Sequence, residues 1–280
     1  MVVTGASTGI GRATALHLGE LGFEVFGGVR REVDGERLAA DGSGAVKPLT
    51  LDVTDAASIE AAARLVESAN GGARLSGLVN NAGVAQPAPL ELIPLEELRR
   101  QLEVNFTGQI AVTQTFLPQL RRARGRIVNV SSVGGRVASP ALGAYAASKF
   151  AIEAASDSLR TELHPWGIDV SVIEPGSIGT EIWRRGGEAA DATLDRIPEG
   201  QRKLYTELID GVRQMAERLE ASGIPPERVA RRIAHALTAR RPRTRYVVGM
   251  DARIQIALAR VLPDRAFDAL VRRMLRPRRD

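Results

Sequence analysis

The 280-residue chain contains no cysteine, so disulfide stapling, thiolate zinc sites and thiol redox chemistry are all excluded. That is compatible with a reducing cytoplasm, the expected location. Aromatic residues make up 4% of the chain, and nowhere do about eighteen apolar residues run together. The sequence opens on "MVVTGAS", with no basic segment leading into an apolar one, and reads as soluble and unexported. Lysine is nearly missing: arginine carries almost all positive charge, and the three lysines are Lys47, Lys149 and Lys203. Tyrosine also occurs three times. One tyrosine and one lysine nonetheless stand together in "AYAASKF", residues 144–150.

The formal charge is +5, with the excess in "RVARRIAHALTARRPRTR" and "RRMLRPRRD" near the C-terminus. Aromatics do not interleave with these basic runs, so no stacking platform for a nucleic acid is expected. No cluster of metal-ligand spacing is present, and no metal is expected.

Short β-branched runs alternate with helix-length amphipathic stretches. "MVVT", "FEVFGGV", "VKPLTL", "GLVNNAG", "GRIVNVSS", "IDVSVIEPG" and "RYVVG" read as strands. Helices are expected over 11–21, 56–68, 95–120, 145–163 and 226–239. This alternation predicts an α/β fold: a Rossmann-like, doubly wound parallel sheet of about seven strands with helices on both faces. No composition break marks a second domain, so residues 1–280 read as one. Residues 177–222 interrupt the alternation before the last strand, with a helix expected over 201–219, and are placed to cover a ligand. Residues 252–280 form a C-terminal helical extension.

"TGASTGIG", residues 4–11, follows the first strand and opens a helix. Its glycines let the backbone turn sharply and approach a pyrophosphate, while the helix N-terminus offers free N–H groups. A tight turn without ligand has the same glycines. The second strand ends in "GGVRRE", where Val29 replaces the acidic residue that binds a ribose 2′-hydroxyl. Arg30 and Arg31 suit a 2′-phosphate, favouring NADP(H) over NAD(H), unless both are solvated surface arginines.

Four of five asparagines, Asn80, Asn81, Asn105 and Asn129, fall in the central strands or the helix between them. Asn80 is expected to tie strands together and Asn81 to lie nearer a cofactor. Asp52 is placed either to accept from an adenine amine or, like Thr54, to cap the next helix. Tyr145 and Lys149 are four apart and share a helix face. An ammonium beside a phenol favours the phenolate, a base the free side chain does not supply at neutral pH. Ser132 can bond the same substrate oxygen. A core tyrosine beside a solvent-facing lysine is the alternative.

Taken jointly, "TGASTGIG", "NNAG", "VNFTG", "YAASK", "PGSIGT" and the spacing from Ser132 to Tyr145 resemble the short-chain dehydrogenase/reductase family across nearly the whole chain. The resemblance implies a catalytic tetrad of Asn105, Ser132, Tyr145 and Lys149: Tyr145 as acid/base, Ser132 orienting the substrate oxygen, Lys149 lowering the phenol and holding a ribose, and Asn105 holding a relay water. It implies a cofactor site running from Gly5, Ser7, Thr8, Gly9, Ile10 and Gly11 past Arg30 and Arg31 to Asp52 and Val53. The site continues through Asn81, Ala82 and Gly83, with Tyr145 and Lys149, to Pro175, Gly176, Ile178 and Thr180, the last two resembling residues that contact the nicotinamide carboxamide. Met1 leaves three residues before the glycine turn, fewer than the family's usual first strand, so either the start is misassigned or the strand is short.

"GGVRRE", "LDVTD", "GLVNNAG", "FLPQLRRARGRIVNVSS" and the C-terminal stretch from Pro242 resemble the branch of retinol, 17β-hydroxysteroid and 3-hydroxybutyrate dehydrogenases. Apolar candidates for the substrate pocket are Val84, Val137, Leu142, Ile182 and Trp183, each of which could equally be core. A hydrophobic alcohol therefore fits better than a hydroxy acid, although Arg136 and Arg184 leave the acid open. A non-catalytic NADP-binding protein is a further alternative. Phe267, Leu270, Val271, Met274 and Leu275 recur at helical spacing with arginines opposite. Such a helix suits either a membrane surface or packing on the insertion or a second subunit. The helices over 95–120 and 145–163 are expected to pair in a homodimer or homotetramer, as in the family.

Overall fold

Successive residues of each short apolar run belong to opposite faces of one sheet. Val2, Phe26, Leu78, Ile127 and Val170 enter one buried cluster, whereas Val3, Val25, Val79, Val128 and Ile173 enter the other. Strands covered on both faces need apolar residues at every position, which is why these runs do not alternate in polarity. In the computed structural model, which describes residues 1–69, 71, 74–221 and 223–275 (side chains of 216 and 218–221 excepted), seven strands form the sheet. They are β1 (Val2–Val3), β2 (Val25–Val29), β3 (Val46–Thr50), β4 (Gly77–Asn80), β5 (Arg126–Val130), β6 (Asp169–Pro175) and β7 (Arg245–Val248).

All pairings are parallel, in the order β3-β2-β1-β4-β5-β6-β7. The chain winds outward from β1 to one edge, returns to β4 beside β1, and winds to the other. That reversal between β1 and β4 opens a crevice at the strands' carboxyl ends. The two-residue β1 agrees with the short first strand read from the sequence.

On one face lie α1 (Gly9–Glu20) and α10 (Pro226–Thr238); on the other, α3 (Ala56–Ala69) and α5 (Gly108–Ala123). α2 (Glu32–Asp41) follows β2, and α6 (Gly143–Glu162) follows β5. The basic run at 228–238 is core: Val229, Ile233 and Leu237 are buried, while Arg228, Arg231 and Arg232 face outward. Side chains such as Phe116, Ile127 and Ile233 are fully enclosed, each burial contributing about 2 kcal/mol. The helix expected over 95–120 is α4 (Leu95–Leu102) running into α5 through a π turn at Glu103–Thr107.

The insertion differs from the sequence reading. "RRGGEAADATL" is helical, as α7 (Glu181–Leu194), and the helix expected over 201–219 is divided into α8 (Glu199–Lys203) and α9 (Thr206–Ala221). Gly186 and Gly187 are poor helix formers, which hid α7 from a propensity argument. Gly186 is required by packing instead, since a Cβ there would collide with the Ala85 carbonyl. The base of the insertion is closed by an isolated bridge between Ile178 and Ile224. The amides of Gly179 and Ile224 donate across it, at 3.1 Å each, to Ile224 and Ser177 carbonyls. Farther out, Gln86 donates to Thr193 Oγ1 at 2.7 Å and Tyr205 to Glu91 at 2.5 Å. The extension begins at α11 (Met250–Val261) and continues as α12 (Asp264–Met274), whose end at Leu275 packs on Gly211 of α9.

Gly186→Ala separates the two effects at this position. Propensity alone would stabilise α7 by about 1 kcal/mol. The collision with Ala85 is expected instead to cost about 1–3 kcal/mol, read by urea unfolding with an unchanged m value. A gain in stability would remove the close packing of α7.

Candidate active site

A cavity of about 800 Å³ opens at the reversal between β1 and β4. Its floor is the turn joining β1 to α1, lined by Gly5, Ser7, Thr8, Gly9 and Ile10. Gly5 and Gly9 take positive φ, +64° and +57°, and Gly11 lies where a Cβ would strike the Gly5 carbonyl and the Asn81 amide. Gly11 therefore shapes the turn from beneath and does not line the cavity. The α1 N-terminus is left pointing at the floor, a cradle for a phosphate.

Thr4, which the sequence reading passed over, holds this turn in place. Its buried Oγ1 accepts from the Asn81 and Ala82 amides at 2.9 Å each, and Asn81 Nδ2 donates to the carbonyls of Thr4 and Gly5 at 2.9 and 3.1 Å. Asn81 lines the cavity, yet its side-chain amide is spent on tying β4 to the β1 turn. Asn80 is structural as read: it donates to Thr113 Oγ1 at 2.8 Å and to Asn129 Oδ1 at 2.9 Å, and Asn129 donates on to Ser156.

One end of the cavity is bounded by Arg30, Asp52 and Val53. Asp52 does not cap α3. Its Oδ1 accepts from the Thr54 amide and hydroxyl, at 2.9 and 2.7 Å, and Asp55 serves as cap by accepting from the Ala57 amide at 2.9 Å. Burial works to raise the Asp52 carboxyl, but the Thr54 bonds and the Arg30 charge hold it below its ordinary value. Arg31 does not line the cavity and pairs with Asp34 at 2.8 and 2.9 Å, which corrects its place in the cofactor site. Arg185 on α7 lines the cavity instead. Asp34 is lowered chiefly by its bond with Arg31, with the charges of Arg37 and Arg185 adding to the effect.

At the other end, Ser132, Tyr145 and Lys149 meet, all buried. Ser132 ends the β5 segment and accepts from the Gly134 amide at 3.0 Å, which fixes its hydroxyl beside that of Tyr145. Burial raises the Tyr145 phenol above its ordinary value, and the bond with Ser132 opposes this. Lys149 Nζ lies 5.8 Å from the Tyr145 ring centroid and donates to the Val130 carbonyl at 2.9 Å. Desolvation lowers the Lys149 ammonium to about 8, opposed by Glu153. The tyrosine is a core residue, but its lysine faces inward, not toward solvent.

Asn105 sits in the π turn, a distortion frequent at functional sites. Its amide nitrogen donates to the Val84 carbonyl at 2.8 Å and Ser148 Oγ at 2.9 Å, and its oxygen accepts from the Val84 amide at 2.8 Å. Both amide hydrogens are thereby engaged, so the side chain fixes the Gly83–Val84 segment. Pro175, Gly176, Ile178 and Thr180 line the cavity beyond Tyr145. Asp251 of α11 holds that stretch, accepting from the Ser177 amide at 2.7 Å and hydroxyl at 2.8 Å. Of the apolar candidates, Val84, Ile182 and Trp183 line the cavity. Trp183 meets Tyr145 edge-on, with centroids 5.7 Å apart at 65°. Val137 is enclosed in the interior and Leu142 precedes α6, and neither lines the cavity.

The model of the short-chain dehydrogenase family matches residues 1–191. The chain belongs to that family. Retinol dehydrogenase 5 of Mus musculus is 39% identical over 277 residues, covering 96% of this chain and 86% of that protein. An NADPH-dependent 3-dehydrocapnine reductase of Ornithobacterium rhinotracheale is 35% identical, covering 96% and 94%. A solved short-chain dehydrogenase from Streptomyces avermitilis superposes with a TM-score of 0.75 at 30% identity, covering 98% of this chain and 93% of that one.

This short-chain dehydrogenase is an NAD(P)-dependent oxidoreductase acting on CH–OH groups of small molecules. The cradle of Gly5, Gly9 and the α1 N-terminus, in a cavity of this volume, fits a dinucleotide. Among the described residues no cluster of metal-ligating side chains occurs, and no helix is long and apolar enough to cross a membrane.

Thr4→Val keeps shape and removes the acceptor shared by two amides. It is expected to lower stability by about 2 kcal/mol and to weaken NADPH binding, read by urea unfolding and by fluorescence titration. Unaltered affinity would separate the Thr4 tie from the cofactor floor.

Proposed function

We propose that the protein is an NADP(H)-preferring enzyme that interconverts a hydrophobic alcohol, retinoid-, steroid- or lipid-like, with its ketone or aldehyde. The observation that carries this reading is a single cavity with a tyrosine–serine–lysine group faced by Trp183, Ile182 and Val84 at one end and Arg30 and Arg185 at the other. The mouse relative's name gives a retinoid alcohol, and that of the bacterial reductase gives NADPH.

In this reading the glycine turn and α1 N-terminus hold the pyrophosphate, with Ser7, Thr8 and Ile10 lining it. Arg30 and Arg185 would hold a 2′-phosphate, Asp52 and Val53 would bound the adenine, and Ala82 and Gly83 would line the path between them. Ile178 and Thr180 meet the carboxamide. The nicotinamide supplies or accepts the hydride. Tyr145 gives its phenolic proton to the carbonyl oxygen in reduction and recovers it in oxidation, while the Ser132 hydroxyl bonds the same oxygen. The Lys149 ammonium holds the ribose and stabilises the phenolate left behind. Asn105 keeps the Val84 backbone, and with it one pocket wall, in register. Trp183 covers Tyr145 and turns aside to admit an apolar substrate, excluding water from the reacting oxygen.

The two cations that kept a hydroxy acid open are engaged elsewhere. Arg136 pairs with Glu174 at 3.0 Å, and Arg184 pairs with Glu181 and Glu188; neither lines the cavity. We assign α12 to bracing α9 rather than to a membrane, since Leu275 packs on Gly211. We place subunit pairing on the outward faces of α4 and α6, where Leu95 and Phe150 are 60% and 45% exposed.

Assays of hydrophobic ketones and aldehydes with NADPH and with NADH test this reading. A higher kcat/KM with NADPH is expected, and a preference for NADH would sink the NADP assignment. Tyr145→Phe is expected to cut kcat by roughly 10²–10⁴-fold while NADPH affinity stays near wild type. Full turnover in that variant would end the mechanism.

A further inference from the structure

Behind Lys149, away from the cavity, charged side chains from four elements converge. Glu153 and Asp157 continue the α6 face that carries Tyr145 and Lys149. Glu174 comes from β6, Arg245 from β7 and Arg136 from the segment after β5. Glu174 and Glu153 are 1% and 6% exposed. Arg245 Nη2 bonds both Asp157 oxygens at 2.8 and 2.9 Å, and its Nε reaches Glu153 Oε2 at 3.1 Å and Glu174 Oε1 at 3.2 Å. Arg136 supplies Glu174 with a second cation at 3.0 Å. Arg160 adds to the charge on Asp157.

Within this cluster the carboxylates are not equally served. Asp157 has a two-point hold from Arg245 and a bond from Arg160, and Glu174 has two arginines. Glu153 Oε2 takes both of its charged contacts, from Nε and Nη2 at 3.1 Å each, from an arginine already shared three ways. The neutral Ser131 hydroxyl stands beside the same carboxylate and favours its charged form without supplying a second cation. Glu153 therefore has no cation of its own among the arginines that serve this cluster, and it lies in a dry interior. One helical turn away is a buried ammonium whose hydrogen bond is to a neutral carbonyl. A buried cation without a facing anion loses its proton.

We propose that Glu153 is a positioning residue for Lys149: its carboxylate, held by Arg245 from the last strand, keeps that buried side chain protonated over the range in which the enzyme turns over. The proposal rests on the role given to Lys149 above, and it adds a specific function for β7. The desolvation that lowers Lys149 to about 8 and its partial reversal by Glu153 agree with it. Burial also raises the Glu153 carboxyl, with Glu174 adding to this and Ser131 and Arg245 opposing it.

The scarcity of lysine makes a direct test practical, because labelled lysine marks three side chains and Lys149→Met identifies one signal. In cofactor-free enzyme, the Lys149 NMR signal is expected to titrate near 8, and in Glu153→Gln about one pH unit lower. Arg245→Gln is expected to move it upward, since Glu153 loses its competing cation. An unchanged midpoint in Glu153→Gln overturns the proposal, as does a downward shift in both variants, the mark of mere loosening. The alkaline limb of kcat/KM should fall with the midpoint. If the midpoint moves and the limb does not, Glu153 still governs Lys149, and the assignment of Lys149 to turnover fails instead.

Discussion

The site depends on the stitch between the first turn and the fourth strand. A doubly wound sheet necessarily leaves a gap where its winding reverses, and a gap lined by mobile backbone binds weakly because binding must order it. Here Thr4 and Asn81 close that gap with short hydrogen bonds between β1 and β4. The glycines are then free to serve the cavity side, since the turn's shape is fixed from below. Asn80 and Asn129 extend the same stitching into the interior, reaching α5 and α6. The helix that carries Tyr145 and Lys149 is thereby tied to the strand that carries the cofactor floor.

Electrostatically, the site begins in its acid form. Burial favours a neutral Tyr145 and weakens the charge of Lys149. A protonated phenol is the form that reduces a carbonyl, so a resting enzyme of this kind is ready for reduction without prior proton loss. Oxidation needs the phenolate, which burial disfavours and a charged Lys149 favours.

Much of this was legible in the sequence because it depends on local rules. Apolar runs that do not alternate mark strands covered on both faces, and seven of them were found. A glycine turn before a helix, and a tyrosine and a lysine on one helix face, are likewise local patterns. What stayed hidden depended on distant partners. α7 was missed because Gly186 answers to Ala85, one hundred residues earlier, and not to helix propensity. Arg31 looked like a phosphate ligand until Asp34 claimed it, whereas Arg185 was invisible without α7 folded over the crevice. Thr4, Asp251 and Glu153 carry no motif of their own. Each matters through the group it holds.

The bridge between Ile178 and Ile224 gives the insertion a closed base on the sheet. A loop whose ends are joined already bears most of its closure entropy, and further length adds only slowly to that cost. Residues between those two isoleucines can therefore be lengthened, shortened or exchanged with little consequence for the strands below. Insertion residues such as Trp183 and Arg185 share one cavity with Tyr145 and Lys149, so exchange of the insertion reshapes that cavity while the sheet beneath is kept.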